Sequence, residues 1–366
     1  MKNIEEQMKE STKFILNPCL EFACAFMMVG REEDLLKLSR EMNFTPLEED
    51  IKLAYKLKER VSKYLRQEME YFLSICNIQV YPAAFVADNE SLDNIRELII
   101  KMNNADLVTV FNYLGGTFIS EQHKGNSESW SQVKDDLTKM KEYVERIEVE
   151  DREKKDKILE CFNNPEETKE RLNFLFRQFY EKAYCFYEEE ILKVLKVEME
   201  RYTIIFNQDP VNFYDKYLHN FFKPIKKSWE YKINIHVSLF NQVGFWTINL
   251  HDYIQKPGIV LLGARTDIYQ NNQEIKNQVD KFLKALSDKR RVDIMKLLAI
   301  KTYYGYEIAE VLNLTPATVS YHINFLLEAG VVGFDREDNK VFYKLNKEQV
   351  KLLFKEAEKL ILREGF

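Results

Sequence analysis

Thr315, Thr318, Ser320, Tyr321 and Asn324 gather four hydroxyls and one amide in a short segment, with the small Ala317 among them. Such groups form hydrogen bonds without carrying charge, which is the chemistry that meets phosphate oxygens and base edges in the major groove of DNA. Between them Val319, Ile323, Leu326 and Leu327 recur at helical spacing, so one face packs and the other stays free. Thr315 followed by Pro316 is an N-cap and first-turn pair, and Gly330 is a stop, which predicts a helix over Thr315–Ala329. Its first amides would also favour phosphate. His322 lies beside Val319 and Ile323 and reads as a half-buried packing residue rather than a base reader.

The elements that must hold this helix are legible on either side. Val279, Phe282, Leu283 and Leu286 form one helical stripe, and Ile294, Leu297 and Leu298 form another that Asp288 can cap. Tyr306–Leu312 predicts a short third helix and Leu314 a turn, which makes a helix-turn-helix with the segment above. Beyond Gly330, Val331–Phe334 and Val341–Leu345 read as strands joined by the charged turn Arg336–Lys340, a wing. Arg336 and Lys340 would bring cations to the DNA backbone or minor groove, diluted by Glu337 and Asp338.

Three blocks in this order, LKALSDKRRVDIMKLLA (Leu283–Ala299), LTPATVSYHINFLLEAGVV (Leu314–Val332) and KVFYKL (Lys340–Leu345), resemble the ArsR-type winged-helix repressor family. The resemblance implies a regulator bound to double-stranded DNA as a homodimer built from its first and last helices. Here those helices offer Val279, Phe282 and Leu283, and Val350, Leu353, Phe354, Ala357, Leu360 and Ile361. Many members sense metal through cysteines on the third helix or carboxylates and histidines on the last. This sequence has Tyr303, Tyr304, Gly305 and Tyr306 in the first place and neither His nor Cys in Lys347–Phe366, so no metal and no cofactor is expected. Lys289 stands where a proline is common, whereas Arg291 matches the usual arginine. FILNPCLEFACAF (Phe14–Phe26) is similar to the openings of members in which a large N-terminal domain precedes the winged helix.

With 366 residues the chain is long enough for two or three domains. Between Arg265 and Glu274 it turns polar without Pro or Gly, a linker or helix lead-in, and the domains are set at 1–270 and 271–366. The second carries 16 Lys and Arg against 14 Asp and Glu, a net +2, so the chain's −6 comes from a net −8 upstream, away from the proposed DNA face. Residues 1–270 read as α+β and predominantly helical. Asn17 and Pro18 open an apolar helix that Gly30 ends, Thr45–Ile75 predicts a long amphipathic helix, and others fall at Ser91–Met102, Ser127–Ile147, Asp151–Phe162 and Asn164–Met199. Gly115 and Gly116 read as a turn. Ile233, Ile235, Val237 and Leu239 alternate with Asn234, His236 and Ser238, a strand with one buried face, paired in a hairpin with Phe245–Leu250, and Gly258–Gly263 is a third strand.

Catalysis finds no constellation. His123, His219, His236 and His251 are isolated, and no GxSxG, HExxH, Walker or GxGxxG signature accompanies them, so no enzyme activity is expected. The five cysteines form no CxxC pair, and Cys19 and Cys24 fall about 140° apart round a helix, so neither zinc nor an intrahelical bridge is supported. The polar start and the lack of an apolar run of about 18 residues place the chain in the cytoplasm. The upstream region is assigned an unidentified small-molecule or protein effector, for which the aromatic stretch Leu172–Tyr187 offers pocket walls or simply core. Two other readings stay open: a protein-interaction module using the winged helix as scaffold, and an enzyme hidden in residues 1–270.

Overall fold

The computed structural model describes residues 3–31, 48–78, 80–89, 91–122, 130–219, 221–222, 229–248, 257–337 and 340–362. The chain forms two compact units, Met1–Asp267 and Ile268–Phe366. The polar stretch after Arg265 is no loose linker but the opening of a 21-residue helix, Thr266–Leu286. Its lack of Pro and Gly lets the helical hydrogen bonds run unbroken. Among the described residues, no helix is long and apolar enough to cross a membrane.

The first unit runs α1 (Ile4–Ser11), β1 (Thr12–Ile15), α2 (Pro18–Gly30), α3 (Glu48–Arg60), α4 (Lys63–Ile75), α5 (Val80–Asp88), α6 (Ile95–Asn104), α7 (Leu107–Gln122), α8 (Leu137–Arg146), α9 (Arg152–Asn163), α10 (Pro165–Lys182), a 3₁₀ turn (Tyr184–Phe186), α11 (Glu188–Gln208), α12 (Pro210–Tyr217), β2 (Ile233–Ser238), β3 (Phe245–Ile248) and β4 (Gly258–Gly263). Side-chain oxygens set the helix starts: Asn17 accepts from the Cys19 and Leu20 amides, Ser62 from Leu65, Asn94 from Arg96 and Glu97, and Asp136 from Thr138 and Lys139. The Ser62 cap breaks the long helix expected through Ile75 into two, and the 3₁₀ turn likewise divides the segment expected as one helix from Asn164 to Met199. Residues 123–129, including part of the helix expected from Ser127, lie outside the described residues, as do Thr45, Pro46, Asn249, Leu250 and His251.

Gly115 and Gly116 are not a turn; they lie inside α7. Trp130 packs over them, donating from Nε1 to Asn112 Oδ1 at 3.1 Å, and a Cβ on Gly115 would come within 2.6 Å of its ring. Gly115→Ala is therefore expected to destabilise the unit by about 1–3 kcal/mol, the range for overpacking a filled core, measured as a lowered Tm. An unchanged Tm would mean that Trp130 shifts freely.

The sheet differs from the expected hairpin. Its order is β1-β2-β4-β3, with β1, β2 and β4 parallel and β3 antiparallel on β4. β2 and β3 are not paired: the chain leaves β2 through Asn241 and Gln242, whose φ of +53° turns it aside, and Gly244, at φ +83°. A side chain on Gly263 would meet the Gln242 carbonyl at 2.4 Å, so glycine lets this loop close on β4.

β2 is buried on both faces. Two of its polar residues are satisfied internally: the Ser238 hydroxyl accepts from the Asn241 amide, and His236 Nε2 lies 3.1 Å from Glu21 Oε2. Glu21, fully buried on α2, also accepts from the Leu239 and Phe240 amides through Oε1 at 2.9 and 3.2 Å. The pair joins helix to sheet and breaks the expectation of an isolated His236. Desolvation pushes the buried thiols up, Cys19 to about 12 and Cys161 to about 11, which keeps them protonated and weakly nucleophilic at neutral pH.

Candidate nucleic-acid interface

The second unit continues from α13 (Thr266–Leu286) through α14 (Lys289–Leu298), β5 (Tyr303–Tyr304), α15 (Gly305–Val311), α16 (Pro316–Glu328), β6 (Val332–Glu337), β7 (Lys340–Leu345) and α17 (Lys347–Leu362). Val279, Phe282, Ile294, Leu298, Ile308, Val319, Ile323, Leu326 and Leu353 close one core.

Local hydrogen bonds set the geometry of α15 and α16. Asn313 takes a left-handed φ of +51°, its amide bonding the Glu310 carbonyl and the Leu314 amide bonding Ala309, which ends α15 in a Schellman turn and redirects the chain. Thr315 then caps α16 by accepting from the Thr318 amide at 3.2 Å. The same device closes α16: Gly330 at φ +73° donates to Leu327, and Val331 to Leu326. Asp288 caps α14 through the Arg290 and Arg291 amides at 2.8 and 3.2 Å. Desolvation alone would raise the Asp288 carboxyl, but those amides and the nearby His322 and Arg291 bring it below its ordinary value.

The structure brings the expected readers onto one face of α16. Thr315, Ala317, Ser320 and Asn324 are exposed, Thr318 is half-buried, and Tyr321 keeps 67% of its surface. Val319, Ile323 and Leu326 face the core. His322 is more enclosed than expected, 4% exposed, with no partner for Nδ1. Beside it the Arg291 guanidinium lies 4.1 Å from the centre of the Phe325 ring, a stacking contact that fastens α14 to α16. Sequence reasoning matched Arg291 to a family pattern without finding this role, whose signal is a cation and a ring from two helices meeting only in three dimensions.

β6 and β7 pair antiparallel from Val332↔Leu345 to Glu337↔Lys340, and β5, absent from the sequence expectation, adds to β7 as a third strand. Arg336 is exposed on the wing, while Lys344 is paired with Asp335 at 2.7 Å. The Lys340 side chain lies outside the described residues. Among the described residues no cluster of three or more His, Cys, Asp or Glu is arranged to hold a metal.

The expected dimer residues divide in two. Val279, Phe282, Leu353 and Ala357 are buried in the unit's own core and have no surface left to offer a partner. Leu283, Phe354 and Ile361 are exposed by 41, 52 and 71%, and Val350 and Leu360 are half-buried. Phe354 leans edge-on against Phe282 with centroids 4.9 Å apart.

A family model described as "Bacterial regulatory protein, arsR family" matches residues 288–333, from the Asp288 cap through α16 into β6. A cadmium resistance transcriptional regulatory protein CadC homolog of Staphylococcus aureus is 32% identical over 95 residues, covering 26% of this chain and 76% of that protein. Among solved structures, HlyU from Vibrio cholerae N16961 is 27% identical over 23% of this chain and 92% of its own, with a TM-score of 0.20. The homodimeric winged helix-turn-helix DNA-binding domain of Mb0332 from Mycobacterium bovis is 26% identical over 26% of this chain and 91% of its own, with a TM-score of 0.21. The family match falls on the helix-turn-helix described above, and the CadC homolog is covered over most of its length; the chain belongs to the arsR family of bacterial regulatory proteins.

Proposed function

We propose that this transcriptional regulator is a cytoplasmic, repressor-like homodimer that binds a specific double-stranded operator and catalyses no reaction. The observation that carries it is the free face of α16, where Thr315, Ala317, Ser320, Tyr321 and Asn324 stand exposed above a packed core. In this reading the two α16 helices of a dimer enter successive major grooves roughly 34 Å apart, and the wing sets Arg336 on the backbone. The seam is formed by the residues that the core leaves exposed, Leu283, Phe354 and Ile361. The N-terminal unit modulates binding by favouring one of two dimer geometries.

The test is binding of the full chain to its own upstream DNA across a salt series. Affinity is expected to fall linearly on a log–log plot, and Arg336→Ala to reduce the slope by about one per lost phosphate contact. Binding indifferent to salt and to DNA sequence would overturn the reading. Phe354→Glu, at an exposed site, is expected to leave the fold intact and yield a monomer by sedimentation; a persisting dimer would move the seam elsewhere.

A further inference from the structure

His236 and Glu21 have no exposed surface, so every bond of the imidazole is made inside the protein. Its Nε2 has one role, since it lies 3.1 Å from Glu21 Oε2 and donates to the ionised carboxylate. Nδ1 has two partners of opposite kind. The Asn17 amide, a donor, and the Ile15 carbonyl, an acceptor, each lie 3.3 Å from it. One nitrogen cannot serve both: with a lone pair it accepts from Asn17, and with a proton it donates to Ile15. The ring therefore keeps its place in two hydrogen-bonded states that differ by one proton.

These states tie different parts of the chain to β2. Ile15 ends β1 and is the register partner of His236, whereas Asn17 caps α2. A neutral ring thus holds the start of the helix, and a protonated ring holds the end of the strand. They also differ in charge. Among the described residues Glu21 has no ion-pair partner but His236, and its Oε1 takes the Leu239 and Phe240 amides. With a neutral ring one negative charge lies buried among dipoles; with a protonated ring the pair is balanced. Protonation leaves the Asn17 amide without its acceptor, which is the cost that charge balance opposes.

The neighbouring groups leave this balance to His236. Of the elements packed on β2, β4 has no titratable side chain, and Lys13, the one on β1, is exposed. The buried titratable groups of α11 are Glu198, bonded to Arg201 and Arg265, and Tyr202, bonded to Asp267. α2 adds Cys19 and Cys24, and the 3₁₀ turn adds Tyr184. Desolvation keeps all three protonated, and the charge of Glu21 reinforces this at Cys24 and Tyr184.

We propose that the junction of β1, α2 and β2 is a proton-operated switch: one proton taken from solvent onto His236 Nδ1 moves that nitrogen's bond from the Asn17 amide to the Ile15 carbonyl and balances the charge of Glu21. Because neither side chain reaches water, the proton enters through local opening. The switch gives the first unit two states between which pH selects, and it does not depend on the DNA-binding reading.

The experiment follows full-length protein, labelled with nitrogen-15 in histidine and asparagine, by NMR from about pH 8 to about pH 5, the span in which imidazoles titrate. Circular dichroism checks that the chain stays folded at each pH. His236 is identified by the loss of its signals in His236→Gln or, where that variant does not fold, by their displacement in Glu21→Gln. At the alkaline end Nε2 should carry a proton and Nδ1 none, and a scalar coupling across the N–H···N bond should join the Asn17 amide to Nδ1. On acidification Nδ1 should gain a proton and the coupling should vanish. In Glu21→Gln, which keeps an acceptor but no charge, the same change should begin at lower pH. A coupling that persists, or is absent, at every pH where the protein is folded would overturn the switch, and so would a neutral ring whose proton sits on Nδ1. A course unchanged in Glu21→Gln would overturn the part assigned to the carboxylate.

Discussion

Replacing Glu21 by alanine is expected to destabilise the N-terminal unit by about 3–5 kcal/mol, the range for removing one member of a buried, hydrogen-bonded polar network. The carboxyl group has no exposure, so water cannot replace it. Its loss strands the Leu239 and Phe240 amides and His236 Nε2 at once, where α2 meets the end of β2. Glu21→Gln separates the roles, because an amide oxygen still accepts from the two backbone N–H groups while the contact with His236 is altered. It should therefore cost well under half as much. Equilibrium denaturation of the full chain, followed by tryptophan fluorescence, measures both. A Glu21→Ala cost below about 1 kcal/mol would show that the strand end relaxes to find other partners.

Tyr321→Ala carries the second large effect, on operator affinity. A lost base-edge contact costs about 1–3 kcal/mol, and the proposed homodimer would lose it twice, so affinity should fall by about 2–6 kcal/mol, from roughly 30-fold to 10⁴-fold. Because Tyr321 is 67% exposed, stability should change by less than about 0.5 kcal/mol, which separates lost contact from lost fold. The pattern matters as much as the size. If Tyr321 reads bases, discrimination between operator and random DNA collapses while the salt slope holds; if it touches phosphate, affinity drops for every sequence alike. Full affinity in the variant would remove Tyr321 from the interface.

The winged helix was legible because its instructions are local. Thr315 and Asp288 accept from amides two or three residues ahead, Gly330 donates to a carbonyl three residues back, and Val319, Ile323 and Leu326 mark the packed face by period alone. Spacing alone could not separate core from surface on the first and last helices: the i, i+3, i+4 pattern of Val279, Phe282, Leu353 and Ala357 serves a monomer's own core as well as a partner's surface, and burial assigns these four to the core. The sheet was misread because its information is long-range. Asn234, His236 and Ser238 mimic a solvent face, yet β2 is buried throughout, and the carboxylate that meets His236 there, Glu21, is remote in sequence. Gly115 and Gly116 looked like a turn because the ring that needs their missing side chains is that of Trp130, brought back onto α7 by the fold.

The parallel pairing of β1 with β2 sets an order of events during synthesis. Ile15 and its register partner His236 are 221 residues apart. At about 5–20 residues per second, β1 leaves the ribosome roughly 10–45 s before the strand that completes it. For that interval the almost wholly apolar α2 has neither the sheet nor the Glu21 contacts that later bury it. Parallel, distant pairings form slowly even when every residue is present. The nascent chain is thus most prone to aggregation before its DNA-binding unit exists, and chaperone supply during translation, rather than final stability, would govern how much regulator a cell accumulates.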